Sequence, residues 1–170
     1  SIAMQAAEAL GIPSEDIRPG IADTDSIGYT DMTGGSRTTY ATGYAAYNAA
    51  QEAIQKMSER AARVWDIKPD EVEYTDRLFR SKLNPEQTMT FKEVANKFNQ
   101  TGGPVSSSGT VHLRGGTGSF GTSVVDVEVD LDTGKVDIIR YTIVQDAGKA
   151  IHPSYVEGQM QGGAVQGIGW

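Results

Sequence analysis

Hydrophobic and polar positions along this chain change period several times, and each change marks an element. Ser1 to Leu10 places apolar residues at helical steps and stops at Gly11 and Pro13, the pattern of the closing turns of an amphipathic helix. Asp16 to Asp25 predicts a short strand and its exit loop, with Pro19 holding that strand to a sheet edge. Thr30 to Thr39 is a glycine and hydroxyl cluster with no apolar period. From about Thr39 to Val64 the residues Tyr40, Tyr44, Tyr47, Ala50, Ile54, Met57, Ala61 and Val64 recur at helical spacing. They predict one long helix with a continuous apolar stripe, about 39 Å long at about 1.5 Å per residue.

Beyond Pro69, the stretches Asp70 to Thr75 and Leu78 to Lys82 alternate and predict a short hairpin. Thr90 and Glu93 match a capping box, whose helix should run to about Asn99 and end at Gly102-Gly103-Pro104. Val105 to Gly109 reads as a polar linker into Thr110 to Arg114, with the glycine run Gly115 to Gly118 behind it. The strongest β pattern spans Ser123 to Val144, two alternating runs around Asp132-Thr133-Gly134. Its period of two puts Val125, Val127, Val129 and Leu131 on a buried face and Asp126, Glu128 and Asp130 outward. After a loop containing His152-Pro153, a helix should open near Ser154. The fold class is therefore α+β: mixed sheet pieces packed with a long helix. The length of 170 residues suits one domain, or two lobes at about 1–120 and 121–170.

Composition narrows the function classes. A net charge of −7 offers no basic footprint for nucleic acid or an acidic membrane surface. With no cysteine, the chain has no disulfide, thiolate metal site, iron–sulfur ligand or cysteine nucleophile of its own, which fits a reducing, cytoplasmic setting. No stretch approaches the ~18 apolar residues of a membrane span, and the start lacks the basic region and the small-residue cleavage pattern of a signal peptide. The chain stops in the apolar run Gly162 to Trp170, and both ends read as cuts through elements of something larger. The uncovered apolar surface near those ends predicts fraying there or a two-fold homodimer.

Two segments carry candidate chemistry. Gly34-Gly35-Ser36-Arg37-Thr38-Thr39 stands at the start of the long helix, where unpaired N–H groups and a partial positive charge attract anions. Glycines let that backbone close around a ligand, hydroxyls add donors and acceptors, and Arg37 can fork onto a phosphate. The plain alternative is a helix cap at Ser36 or Thr33. The second segment, Gly158 to Gly167, combines glycines with Gln159, Gln161 and Gln166. A glutamine amide both donates and accepts and so suits a heterocycle with amide-like edges, while a small-residue packing face explains the same pattern. His112 and His152 have no metal-ligand spacing, with or without Asp23 or Asp25, so no metal site is expected.

Taken together, several motifs resemble one family. Thr33-Gly-Gly-Ser-Arg-Thr-Thr-Tyr-Ala-Thr-Gly43 after Asp23-Thr-Asp25 is similar to the cofactor segment of the molybdenum hydroxylases, the xanthine dehydrogenase/aldehyde oxidase family. So are Val127 to Val136, Asp146-Ala-Gly148, Pro153, and Gly158-Gln159 through Gly169, in the family's order. The resemblance covers nearly the whole chain and implies an internal piece of the molybdopterin-binding large subunit, from its C-terminal half. It implies that Gly35 lies beside the molybdenum centre, with Gly34 in the same loop. It further implies that Ser36, Arg37, Thr38 and Thr39 hold the pterin phosphate and that Gln159 bonds the pterin. The cofactor implied is molybdopterin, in its plain or cytosine dinucleotide form, carried by the parent enzyme rather than by the isolated piece. One departure is His152, where relatives commonly carry Asn before the Pro.

The same resemblance implies an oxidoreductase that hydroxylates an electron-poor carbon of a heterocycle or aldehyde with oxygen from water. Electrons would leave through iron–sulfur and FAD partners. The family's catalytic glutamate would lie beyond Trp170, so no catalytic residue is expected within the chain, which alone should be inactive. The rival reading is a non-catalytic module that uses the same glycine loop to bind another phosphate ligand or to assemble with a partner.

Overall fold

The computed structural model describes residues 1–21, 23–25, 28–112 and 118–170. They fall into two units, Ser1–Leu113 and Arg114–Trp170. Part of the segment Thr110 to Arg114 and most of the glycine run Gly115 to Gly118 lie outside the described residues, at 113–117.

The first unit is organised on the long helix. α1 (Ile2–Leu10) ends at Gly11, which takes a left-handed φ of 64°. α2 spans Thr38–Trp65, 28 residues, as the periodicity predicts. Three antiparallel strands follow, β1 (Val72–Thr75), β2 (Leu78–Ser81) and β3 (Thr88–Thr90), in the order β1-β2-β3. The β1–β2 hairpin is the one the alternation predicts, turned by Asp76 and Arg77, both at positive φ. The third strand pairs Phe79 with Met89; with three residues it is too short to show a period. One face of the sheet carries Val72, Phe79, Ser81 and Met89, all buried. Phe79 is fully buried and joins Met57, Ala61, Ala62, Val72, Met89 and Val94 in a single core cluster.

Two expectations for this unit need correction. Asp16 to Asp25 forms no strand among its described residues: a 3₁₀ turn at Ser14–Asp16 leads into irregular backbone. A lone edge segment containing Pro19 finds no neighbouring strand to pair with. The apolar stripe of α2 is also split. From its middle onward Ala50, Met57 and Ala61 are buried as expected, but Tyr40, Tyr44 and Tyr47 before them and Val64 after them are exposed. Ahead of Ala50, the buried positions are Ala41 and Gly43. α1 packs on this part of α2, and close approach selects small residues over rings.

Thr90 and Glu93 form the expected capping box, with Glu93 N–H donating to Thr90 Oγ1 at 3.2 Å and Thr90 N–H to Glu93 Oε2 at 2.7 Å. The helix they open breaks after Ala95 and resumes as a short turn, giving α3 (Phe91–Ala95) and α4 (Phe98–Thr101), closed by left-handed Gly102. The polar linker is a strap laid antiparallel along α2. Lys56 Nζ donates to Ser106 O at 2.8 Å, Ser108 N–H to Glu52 Oε2 at 2.9 Å, and Asn48 Nδ2 to Thr110 O at 3.0 Å. Residues 48, 52 and 56 stand one turn apart on one helix face, so each turn holds two strap residues. A Cβ on Gly109 would collide with the α2 backbone at Ala45 O and Ala49 N, so only glycine fits there.

In the second unit, β4 (Gly121–Val129) and β5 (Val136–Gln145) form the predicted antiparallel hairpin. Asp126 pairs with Arg140 but Val127 with Ile138, which leaves Ile139 as a bulged residue. That extra residue resets the phase of β5. Val136, Ile138, Tyr141 and Ile143 thereby lie opposite Val129, Val127, Val125 and Ser123, on one face. The alternation is as expected, but the burial is not: Val127 is 51% exposed and Val129 46%, and Leu131, in the turn, is exposed too. Two strands have no second layer of their own to cover a face. α5 (Pro153–Ile168) follows, with Gly169 and an exposed Trp170 after it. The helix is regular to Ile168, where fraying was one expectation.

These packing facts set two outcomes. Phe79→Ala should lower stability by about 3–5 kcal/mol through the cavity it leaves, whereas Val127→Thr, on the open face, should change it by less than about 0.5 kcal/mol. Urea unfolding followed by the fluorescence of Trp65, which packs against the core, reads the first. Loss of the far-ultraviolet hairpin signal reads the second.

The strap should also respond to acid. The Lys56 ammonium, and then the Ser108 N–H, hold the Glu52 carboxyl below its ordinary value. A depressed folded-state value means that the contact is fully present above the unfolded carboxylate range and is lost as pH falls through the folded value. Hydrogen exchange at the Ser108 amide should therefore speed up in acid beyond its intrinsic trend. Glu52→Gln, which keeps an acceptor but cannot titrate, should remove that transition.

Candidate functional site

The glycine and hydroxyl cluster folds as a tight loop feeding α2. Gly35 has φ 61° and Ser36 φ 57°, while Arg37 returns to the right-handed region at φ −85°, ψ −22°. A left-handed residue followed by a right-handed one makes successive N–H groups converge on one concavity. Ser36 holds this conformation without being glycine, a conformation uncommon for residues with a Cβ. Gly34 O accepts from Arg37 N–H at 3.4 Å and closes the loop.

The first turn of α2 is left open. The first helical bond runs from Ala41 N–H to Arg37 O at 2.8 Å, so the N–H groups of Thr38, Thr39 and Tyr40 precede any intrahelical acceptor. Among the described residues no side chain caps them, and the first turn contains no carboxylate. The plain alternative, a Ser36 or Thr33 cap, is therefore not realised. Gly35 and Ser36 are exposed, and a Cβ added at Gly35 would meet nothing within 4 Å. The loop is approachable from solvent.

Arg37 is oriented by its neighbours. Its Nη1 donates to Met32 O at 3.3 Å and lies 3.7 Å from Asp31 Oδ2. Asp31 in turn accepts from Met32 N–H through Oδ1 at 2.8 Å. A guanidinium has five N–H donors in a planar fork, so these contacts fix its plane without exhausting it. Asp31 escaped the reading of the sequence; an acid six residues before an arginine has no periodic pattern to mark it. Together the loop offers backbone N–H groups, three hydroxyls and one guanidinium. That set suits a phosphate.

Gln159 belongs to the second unit, on the exposed side of α5, and its amide has no hydrogen bond among the described residues. Gly158, Gly162, Gly163 and Gly167 on the same helix have nothing within 4 Å of an added Cβ. A packing face within this unit therefore does not explain them. Ahead of α5, His152 stacks on Tyr155 with ring centroids 3.9 Å apart, and its Nδ1 lies 3.1 Å from Ser154 Oγ. Among the described residues no three His, Asp or Glu side chains are grouped as a metal site, and no helix is long and apolar enough to cross a membrane.

The family model described as the molybdopterin cofactor-binding domain matches residues 1–170. The carbon monoxide dehydrogenase large chain of Afipia carboxidovorans is 31% identical over 94% of this chain and 20% of its own length. The putative xanthine dehydrogenase molybdenum-binding subunit of Escherichia coli is 29% identical over 96% of this chain and 22% of its own. The crystal structure of quinoline 2-oxidoreductase from Pseudomonas putida superposes with a TM-score of 0.75 at 26% identity, over 99% of this chain and 22% of the other. The chain thus spans about a fifth of the length of the curated relatives it matches.

Proposed function

The chain belongs to the molybdopterin cofactor-binding domain family, and from that premise we propose that its Gly34–Thr39 loop holds the phosphate of a molybdopterin cofactor while Gln159 bonds the pterin. The observation that carries the phosphate assignment is the uncapped first turn of α2, free of acids and preceded by a loop whose left-handed Ser36 turns its N–H groups together. A phosphate there would accept from Thr38, Thr39 and Tyr40 N–H and from the hydroxyls of Ser36, Thr38 and Thr39. The positive end of a long helix favours the charge it brings. Arg37, already oriented by Asp31 and Met32 O, would add a charge-assisted donor. The open side of Gly35 leaves room for the group to come close. The exposed Gln159 amide has both a donor and an acceptor to offer a heterocycle edge.

The chemistry such a cofactor supplies when bound is oxidation of an electron-poor carbon with oxygen drawn from water. The chain's own residues contribute retention and orientation. In the longer protein, the same reading gives an oxidoreductase acting on a heterocycle or aldehyde. Its catalytic base would lie outside this chain, and iron–sulfur and flavin partners would carry the electrons away. The relatives named dehydrogenases support that extension.

Arg37→Ala in the full-length protein tests the phosphate assignment. Loss of one charge-assisted hydrogen bond should weaken cofactor retention by about 1.5–3 kcal/mol, read as a lower molybdenum content after dialysis. Turnover per bound molybdenum should stay the same. A variant that keeps full molybdenum content and an unchanged dissociation rate would remove Arg37 from the site.

A further inference from the structure

Gln5 sits on α1, 34 residues away from the loop in sequence, yet its Nε2 donates to Thr39 O at 3.1 Å. Thr39 lies in the first turn of α2, within the phosphate loop. The Gln5 amide occupies a notch that exists because residue 43 has no side chain. A Cβ on Gly43 would collide with Nε2, Oε1 and Cδ of Gln5. Gly43 is buried in the interior of a helix, where glycine is a poor choice, and the notch gives it a reason. Gln5 Oε1 is buried with no hydrogen-bond partner, so the amide is not placed there for its own satisfaction.

The other end of α1 is anchored independently. Tyr74 on β1 donates its hydroxyl to Leu10 O, and its ring lies 4.4 Å from that of Phe79, at the centre of the core. Gly11 faces the same hairpin, where a Cβ would lie 2.7 Å from Arg77 Cγ. α1 is thus a brace running from the sheet to the first turn of α2. We infer that Gln5 is a positioning residue: through its bond to Thr39 O, in the notch left by Gly43, it fixes the orientation in which the Gly34–Thr39 loop presents its donors to the cofactor phosphate. This rests on the phosphate reading above.

Three variants of the full-length protein test it, each read by the rate at which molybdenum is lost on dialysis and by the thermal midpoint of the cofactor-free protein. Gly43→Ala evicts the amide while improving helix propensity. Gln5→Ala removes the amide. The double variant removes the amide and refills the notch with the methyl group that Gly43→Ala introduces. All three should lose molybdenum about three- to ten-fold faster than the parent, the worth of one neutral hydrogen bond. The double variant should be no worse than either single one, and Gly43→Ala should keep or raise the midpoint. If the double variant regains the parent rate, Gln5 only fills space and the positioning role falls. If all three match the parent while Arg37→Ala loses molybdenum, Gln5 is irrelevant and the phosphate site stands. If Arg37→Ala also matches the parent, the phosphate reading fails and this inference fails with it.

Discussion

Burial of Phe79 in one cluster with Met57, Ala61 and Ala62 fixes where α2 lies, and the first unit is hung from that helix. The C-terminal half of α2 supplies the apolar side of the core, so the sheet, α3 and α4 gather there. The strap from Ser106 to Thr110 follows the same helix through Lys56, Glu52 and Asn48. The N-terminal end has the opposite duty: its first turn stays uncapped and reachable. A single unbroken helix lets the core hold rigid what the loop exposes.

The brace of α1 resolves a problem that this division creates. The end of a helix projecting beyond the core has only solvent to orient it. Small residues at Ala41 and Gly43 let α1 approach closely, and the Tyr74 hydroxyl ties the far end of α1 back to the sheet. Tyr40, Tyr44 and Tyr47 are left outside by the same choice. Tyr44 and Tyr47 stack on one another, centroids 6.0 Å apart and nearly parallel, which covers some of the ring surface they expose.

The second unit obeys local rules without enclosing a core. Its hairpin gathers Val125, Val127, Val129, Val136, Ile138, Tyr141 and Ile143 on one face, with Val124 and Val144 on the other, and the bulge at Ile139 keeps the first face continuous along the strand pair. Without it, Arg140 and Thr142 would rotate onto the apolar face and Tyr141 and Ile143 off it. α5 shows the same pattern in another form. Its glycines and Gln159 stand open, in keeping with a helix whose small side chains leave backbone and amide accessible to a ligand.

Periodicity in the sequence determined the elements with strong repeats: α1 with its Gly11 stop, the whole of α2, the β1–β2 hairpin, the Thr90–Glu93 box and the hairpin from Ser123 to Val144. The Thr33–Gly43 and Gly158–Gly169 motifs carried the resemblance to the molybdenum hydroxylases, because each is written in contiguous residues. Tertiary structure alone decided the rest. Alternation tells which side chains share a face but not whether anything covers it, so the valines of β4 read as buried and are open. Helical spacing at Tyr40, Tyr44 and Tyr47 cannot tell which of two faces meets α1; that depended on how closely two backbones approach. The strap, the Asp31–Arg37 pairing and the seat of Gln5 against Gly43 join residues with no periodic relation. Only a folded chain brings them together.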